Sequence, residues 1–306
     1  MNPALSVIFF TTLSGAGYGL WLWLGLRIAF GPHAYDFEAI GWFFALLLGA
    51  VLTTIGIVAS LWHLGKPLRV WRAFSQWRSS WMSREGVMAV ATLGVAALMI
   101  VPLPVPHEVA QPPLATLLAL CALGTVCSTA MIYASLKTIP AWRHPLVLPA
   151  YVGFAMLTGG LAFAALALPP PLLRIALPAL LVLAIAMALL KLAYWRSIDR
   201  SPLPQTRGDA IGLPNRKPSV FERPHTEANY LTKEMGFAVA RRHARKLRLL
   251  ALLLFTALPI VLVALAIATS QSWPWLLVAA LSALAGSFVE RWLFFAEAKH
   301  LVTLYY

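Results

Sequence analysis

Two side chains able to exchange protons near neutral pH stand at opposite ends of one polar segment. Residues 62–86 read WHLGKPLRVWRAFSQWRSSWMSREG, with His63 closing one apolar run and Glu85 opening the next. An imidazole and a carboxylate at that spacing can accept, donate or relay protons and hydrogen-bond a ring oxygen. Between them, Lys66, Arg69 and Arg72 could hold a carboxylate or position a partner, or could simply face water and lipid headgroups. Trp71 and Trp81 could flank a planar ring, or belong to an aromatic belt. His63 and Glu85 also have plain structural readings. A histidine at the end of a span can make one satisfied interfacial hydrogen bond. A carboxylate in the first helical turn, after a possible cap at Ser83, is favoured by the helix dipole by about 0.3–1 kcal/mol.

Other chemistries are harder to build. Cys121 and Cys127 lie six residues apart in one apolar run and so point to different helix faces, which provides no disulfide framework, zinc site or iron–sulfur motif. A b-type haem needs facing histidines at membrane depth, whereas all seven histidines fall at run ends or in loops. There is no Walker motif, dinucleotide fingerprint or nucleophile elbow. We therefore expect no haem and no metal in this chain. The middle of every apolar run is free of Asp, Glu, Lys and Arg, with Glu290, Arg291 and Glu297 coming only at the end of the last helix. Such a chain is not expected to carry protons across the whole bilayer.

The elements that must position these residues are membrane helices. The 306 residues are 60% apolar and 11% charged, which excludes a water-soluble fold. Runs long and apolar enough to span fall at about Pro3–Ile28, Ala39–Trp62, Gly86–Val101, Leu114–Leu136, Leu146–Leu168, Leu172–Leu190, Leu249–Thr269 and Pro274–Val289. The expected fold is all-α: a polytopic membrane helix bundle with eight transmembrane helices, forming one integral membrane domain over residues 1–306. The segment before Ser6 lacks a basic n-region, so the first run reads as a retained helix. The net charge of +13 does not indicate nucleic-acid binding, because the basic residues lie between apolar runs. Connections after the second, fourth and sixth runs, with the C-terminus, hold 22 Lys and Arg, against two on the other side. By the positive-inside rule, both termini and the basic connections face the cytoplasm.

Two connections carry internal patterns. Within the loop 63–85, Val70, Phe74, Trp77 and Trp81 share one helical face over Pro67–Met82, opposite Arg69, Arg72, Gln76 and Ser80. This pattern fits an interfacial amphipathic helix or an ordinary aromatic belt. The basic loop 196–248 opens with an extended Pro/Gly-rich stretch, Ser201–Pro224. It then forms Tyr230–Arg248, with Leu231, Met235, Ala238 and Val239 on one face and Arg241, Arg242, Arg245, Lys246 and Arg248 crowded toward its end. That helix could bind phospholipid or dock an acidic partner.

The run His63-Leu64-Gly65-Lys66-Pro67, with Arg69, Trp71, Arg72, Ala73 and Phe74 and then Ser80-Trp81-Met82-Ser83-Arg84-Glu85, resembles the signature loop of DmsC-type membrane anchor subunits of dimethyl sulfoxide reductases. Leu190 to Arg196, Lys233 to Arg248 and Gly286 to Phe295 look like later elements of that family. The resemblance implies an inner-membrane anchor without a prosthetic group of its own, which binds a quinol, normally menaquinol. It implies two partners: an iron–sulfur subunit with [4Fe–4S] clusters and a molybdopterin catalytic subunit that reduces an S-oxide or N-oxide. The family's quinol-site His and Glu fall on His63 and Glu85. The residues are consistent with this, since quinol oxidation needs a proton acceptor near water, a hydrogen-bonding group for the ring oxygen and an apolar slot for the tail. A related anchor running in the quinone-reducing direction, or serving another substrate, would share these features. A secondary transporter remains a different class of reading, although the two sets of four helices show no matching interrupted repeats.

Overall fold

In this computed structural model the described residues are 4–31, 36–62, 66–101, 107–201, 203–219, 221–222, 239–269 and 272–305. His63 lies outside them, as does the Tyr230–Ala238 part of the expected basic helix. All regular structure among the described residues is helical.

Helix α1 runs over Leu5–Phe30, with one π turn at Phe10–Ser14. Helix α2 covers Asp36–Leu61, and α3 covers Trp81–Leu98. Then come α4 at His107–Ala134, α5 at Val147–Ala167 and α6 at Pro170–Arg200. Helix α7 passes from Val239–Leu252 through a second π turn, Leu253–Ala257, into Leu258–Ala268, and α8 is Trp273–Ala296. Seven of these helices are long and apolar enough to cross a membrane. The remaining one, α3, is where the eighth crossing was expected. Its 18 residues include Arg84 and Glu85 in the second turn, and they rise only about 27 Å against a hydrocarbon core of about 30 Å.

Helix α1 is the hub, packing against α2, α4 and α5. Without a hydrophobic drive between helices in lipid, close backbone approach through small residues does much of the joining. A methyl group on Gly19 would collide with the Ala155 carbonyl, and one on Gly159 would collide with the backbone of Gly19 and Leu20. Indole donors tie the same helices, Trp21 Nε1 to the Leu46 carbonyl at 3.2 Å and Trp23 Nε1 to the Met156 carbonyl at 2.9 Å. Helix α5 is the most enclosed span and α6 the least.

Two helix ends differ from the sequence reading in a way that matters. The sixth apolar run was expected to stop at Leu190 and the last at Val289, yet α6 continues to Arg200 and α8 to Ala296. Lys191, Glu290 and Arg291 are therefore inside helices, and all three are buried. The expectation that Lys191 opens the sixth connection is corrected accordingly, whereas Glu290 and Arg291 lie toward the end of the last helix as expected. Hydropathy falls at each charge taken alone, but opposite charges on two packed helices compensate each other, so neither helix has to end.

Candidate functional site

The signature loop does not form the α-helix read from its periodicity. It is a 3₁₀ helix over Pro67–Gln76, followed by a turn into α3. With three residues per turn, Leu68, Trp71, Phe74 and Trp77 share one edge, and Arg69, Arg72 and Arg78 share the next. The expected 3.6-residue face joining Val70 to Trp81 is thus replaced, with Trp81 already opening α3. Leu68 is 93% exposed, Trp71 64% and Trp77 53%, which suits a segment lying against lipid at the interface.

Three contacts fix this loop on α3. The Ser83 hydroxyl donates to the Ala73 carbonyl. Arg84 Nε donates to the Trp77 carbonyl at 3.0 Å, and its Nη2 donates to the Arg78 carbonyl at 2.6 Å. The same guanidinium lies 4.3 Å from the centroid of the Trp81 ring. The Phe74 ring faces Gly86 closely, so that a methyl group there would come within 3.1 Å of the ring edge. Ser83 is therefore a loop anchor rather than a helix cap, because α3 begins two residues earlier.

Glu85 is the predicted site residue that this arrangement turns inward. It falls in the second turn of α3, so the helix-dipole explanation offered for it does not apply. Its carboxyl lies within reach of the Thr129 hydroxyl of α4, which itself donates to the Thr125 carbonyl at 3.0 Å, and within electrostatic reach of Tyr18 on α1 and Tyr133 on α4. Lys66, Arg69, Trp71 and Arg72 are exposed on the loop, and Arg72 stacks on its neighbour Trp71 at 5.6 Å. The fold turns these four outward rather than toward Glu85. Thr129 and Tyr18 were missed at the sequence level; the only signal was polar residues inside apolar runs.

Thr129 and Tyr18 also contribute to a cavity of about 20 Å³ lined by α1, α4, α5 and α8. The π turn of α1 contributes Thr11, Thr12 and Ser14 to its wall, α5 contributes Tyr151 and Thr158, and α8 contributes Ser287 and Arg291. Such turns widen a helix by one residue and recur at functional sites. Behind Arg291 sits a buried ionic cluster. Lys191 Nζ lies 2.5 Å from Glu290 Oε1, and Arg291 Nη1 lies 3.1 Å from Glu290 Oε2. The Arg291 guanidinium also covers the Tyr151 ring at 3.6 Å.

Toward the helix ends, Arg248 bridges α6 and the end of α8. It bonds both Asp199 carboxylate oxygens, at 2.6 and 2.9 Å, and Glu297 Oε1 at 2.9 Å. These three residues line an open cleft of about 320 Å³ together with His144 and Lys299. Burial holds the Glu297 carboxyl above the usual carboxylate range, against the opposing pull of Arg248. Burial and the nearby Lys191 ammonium hold His144 below the usual histidine value of 6.5. A mostly apolar cleft of about 370 Å³, bounded by Trp23, Arg27, Phe163 and Leu180, sits at the other end of α1 from Glu85. Among the described residues, no three His, Cys, Asp or Glu side chains converge as metal ligands do.

A bundle of apolar helices with its polar chemistry gathered toward one membrane edge defines a multi-pass membrane protein. Residues 1–296 match the family of DMSO reductase anchor subunits (DmsC), and the chain belongs to that family. It is also similar to a sulfite dehydrogenase subunit from Allochromatium vinosum, 34% identical over 333 aligned positions that cover 100% of this chain and 99% of the relative.

Proposed function

We propose that this chain is the inner-membrane anchor and quinol-oxidising subunit of a DMSO-reductase-type molybdoenzyme. It passes electrons from menaquinol, or another quinol, to an iron–sulfur partner with [4Fe–4S] clusters, and so to a molybdopterin subunit in anaerobic respiration. The observation that carries this reading is the placement of Glu85. Its carboxylate is turned into the bundle onto Thr129, one turn behind a lipid-facing aromatic loop. In quinol oxidation two protons and two electrons leave the ring. Glu85 accepts a proton, His63 hydrogen-bonds the second ring oxygen, and the exposed edge of Leu68, Trp71 and Trp77 guides the apolar tail. Lys66, Arg69 and Arg72 face headgroups or the iron–sulfur partner.

In this reading α3 is the eighth crossing, and both termini lie in the cytoplasm with the basic connections. The iron–sulfur subunit then docks on that side, against the loop and the basic start of α7. The test begins with the complex purified from native membranes. Molybdenum, iron and two larger chains should co-purify with this subunit. His63→Ala and Glu85→Ala should leave that assembly intact and lower quinol oxidation by about hundredfold; unchanged turnover in both variants removes the site.

The name of the 34% identical relative, a sulfite dehydrogenase subunit, favours a second reading with the same site. There the complex oxidises a sulfur oxyanion and the quinone is reduced, so that protons enter at Glu85 instead of leaving. Supplying sulfite to the purified complex with a quinone, and an S-oxide with a quinol, discriminates the two by which pair turns over.

A further inference from the structure

The ionic cluster of Lys191, Glu290 and Arg291 has no part in the reading above, and it is costly. All three residues are at most 2% exposed. They carry two positive charges and one negative, so the cluster is not even neutral. A buried ion pair seldom outweighs its own desolvation, and ionisable groups within a membrane span more often mark a pathway than a support.

Its surroundings point to a path. On one side, Arg291 and Tyr151 line the cavity that also holds Thr129 and Tyr18. Thr12 Oγ1 and the hydroxyls of Tyr18 and Tyr151 are buried there without a protein hydrogen-bond partner. Buried polar groups are nearly always satisfied, and a space of about 10–15 Å³ holds a water with two to four polar partners. This one, at about 20 Å³, suits a water that those three hydroxyls would bind. On the other side, the Lys191 ammonium lies over the Tyr194 ring at 4.1 Å and within electrostatic reach of Glu297 and His144. Both of those residues line the open cleft.

We propose that Glu290 and Lys191 carry protons between the Glu85 site and the open cleft at Glu297 and His144. The route runs from the Glu85 carboxyl through the Thr129 hydroxyl and a water in the polar cavity to Glu290, then to Lys191 and on to Glu297. One proton moves at each transfer. A proton arriving on the Glu290 carboxylate is matched by one leaving the Lys191 ammonium toward Glu297, and Glu290 then re-protonates the amine, so the cluster returns to its starting charge. The electrons take a different way out, to the iron–sulfur partner. Arg291 stays charged throughout and links the cavity wall, which it lines, to Glu290 Oε2 at 3.1 Å. This inference rests on the reading of Glu85 as the proton acceptor of a quinol site.

The test uses the whole complex purified with its partner chains, comparing the native form with Glu290→Gln and with the double variant Lys191→Met/Glu290→Gln. The double variant keeps the buried net charge of the native cluster, since only Arg291 remains charged. The readouts are the rate at which dimethylnaphthoquinol reduces the iron–sulfur clusters in light and in heavy water, cluster reduction by dithionite, and binding of a quinol-analogue inhibitor. The route predicts that both variants lose about hundredfold in the quinol-driven rate with a larger solvent isotope effect, while dithionite reduction and inhibitor binding stay native. A double variant with the native rate would make the cluster a structural pair and overturn the route, and so would failure of both variants to assemble. If Glu290→Gln alone fails to assemble, the double variant decides by the same readouts. Failure of the underlying site reading looks different. The native complex would then neither bind the inhibitor nor reduce its clusters with the quinol, or Glu85→Gln would leave both unchanged.

Discussion

The signature loop and the buried ionic cluster lie toward the same membrane edge, and they are opposites. The loop is a single contiguous segment, rich in charge and tryptophan, and most of its side chains face outward. The bonds that fix it on α3 run to backbone carbonyls, and its last residue, Glu85, already lies inside α3. The cluster is assembled from α6 and α8, about a hundred residues apart in sequence, and none of its three side chains reaches solvent. The conspicuous region is therefore built to aim a residue, whereas the inconspicuous one holds charge where charge is expensive.

That contrast makes graded predictions. The largest effect is expected from Glu290→Ala, which leaves Lys191 and Arg291 facing each other unpaired. About 3–5 kcal/mol should be lost, read as a sharp drop in thermal stability in detergent. An unaltered melting temperature would erase the distinction between the two regions.

In the loop, Arg84→Ala removes two bonds to carbonyls and one stacking contact, worth about 1 kcal/mol locally. The bundle should stay folded while trypsin cuts faster at Arg72 and Arg78. Equal cleavage rates would mean the loop is held by something else.

The open cleft beyond the cluster supplies a pH dependence. The Leu146 N–H donates to His144 Nδ1 at 3.2 Å, and the histidine Nε2 pairs with the Ser197 hydroxyl at 2.9 Å, an arrangement that requires a neutral ring. Its pKa lies below the usual 6.5, chiefly through burial and then through Lys191. Between that lowered value and 6.5 the unfolded chain binds more protons than the folded one, so stability is full above 6.5 and declines as pH falls through this window. Thermal scans at successive pH values should show the decline, and His144→Gln should remove this component of it.

The smallest effect is expected from Arg69→Ala and Arg72→Ala, both exposed, within about 0.5 kcal/mol of the native stability. A large loss at either position would show that the outward face of the loop carries more than surface contacts.

Much of the molecule is legible from residues alone. Hydropathy locates every long helix, because a span in lipid must be apolar along most of its length. The signature loop and Glu85 can be read because their residues are consecutive, and a contiguous pattern survives without knowledge of the fold. The period of the loop is not readable in the same way, since residues three and four apart alternate in both kinds of helix and a proline start does not distinguish them. Hydropathy places the ends of α6 and α8 too early, at the residue before Lys191 and the residue before Glu290, because each charge taken alone looks like the edge of the membrane. Only the tertiary structure could decide otherwise. It brings Lys191 of α6 to 2.5 Å from Glu290 of α8 and turns Glu85 onto Thr129 of α4. Residue order alone fixes that the chain is a series of apolar helices and which loop is polar, since those follow from the solvent each segment prefers, but not the count, because Trp81–Leu98 is not among the seven helices long and apolar enough to cross. The pairing of charges across helices depends on which helical faces meet, and that is settled by packing the whole bundle.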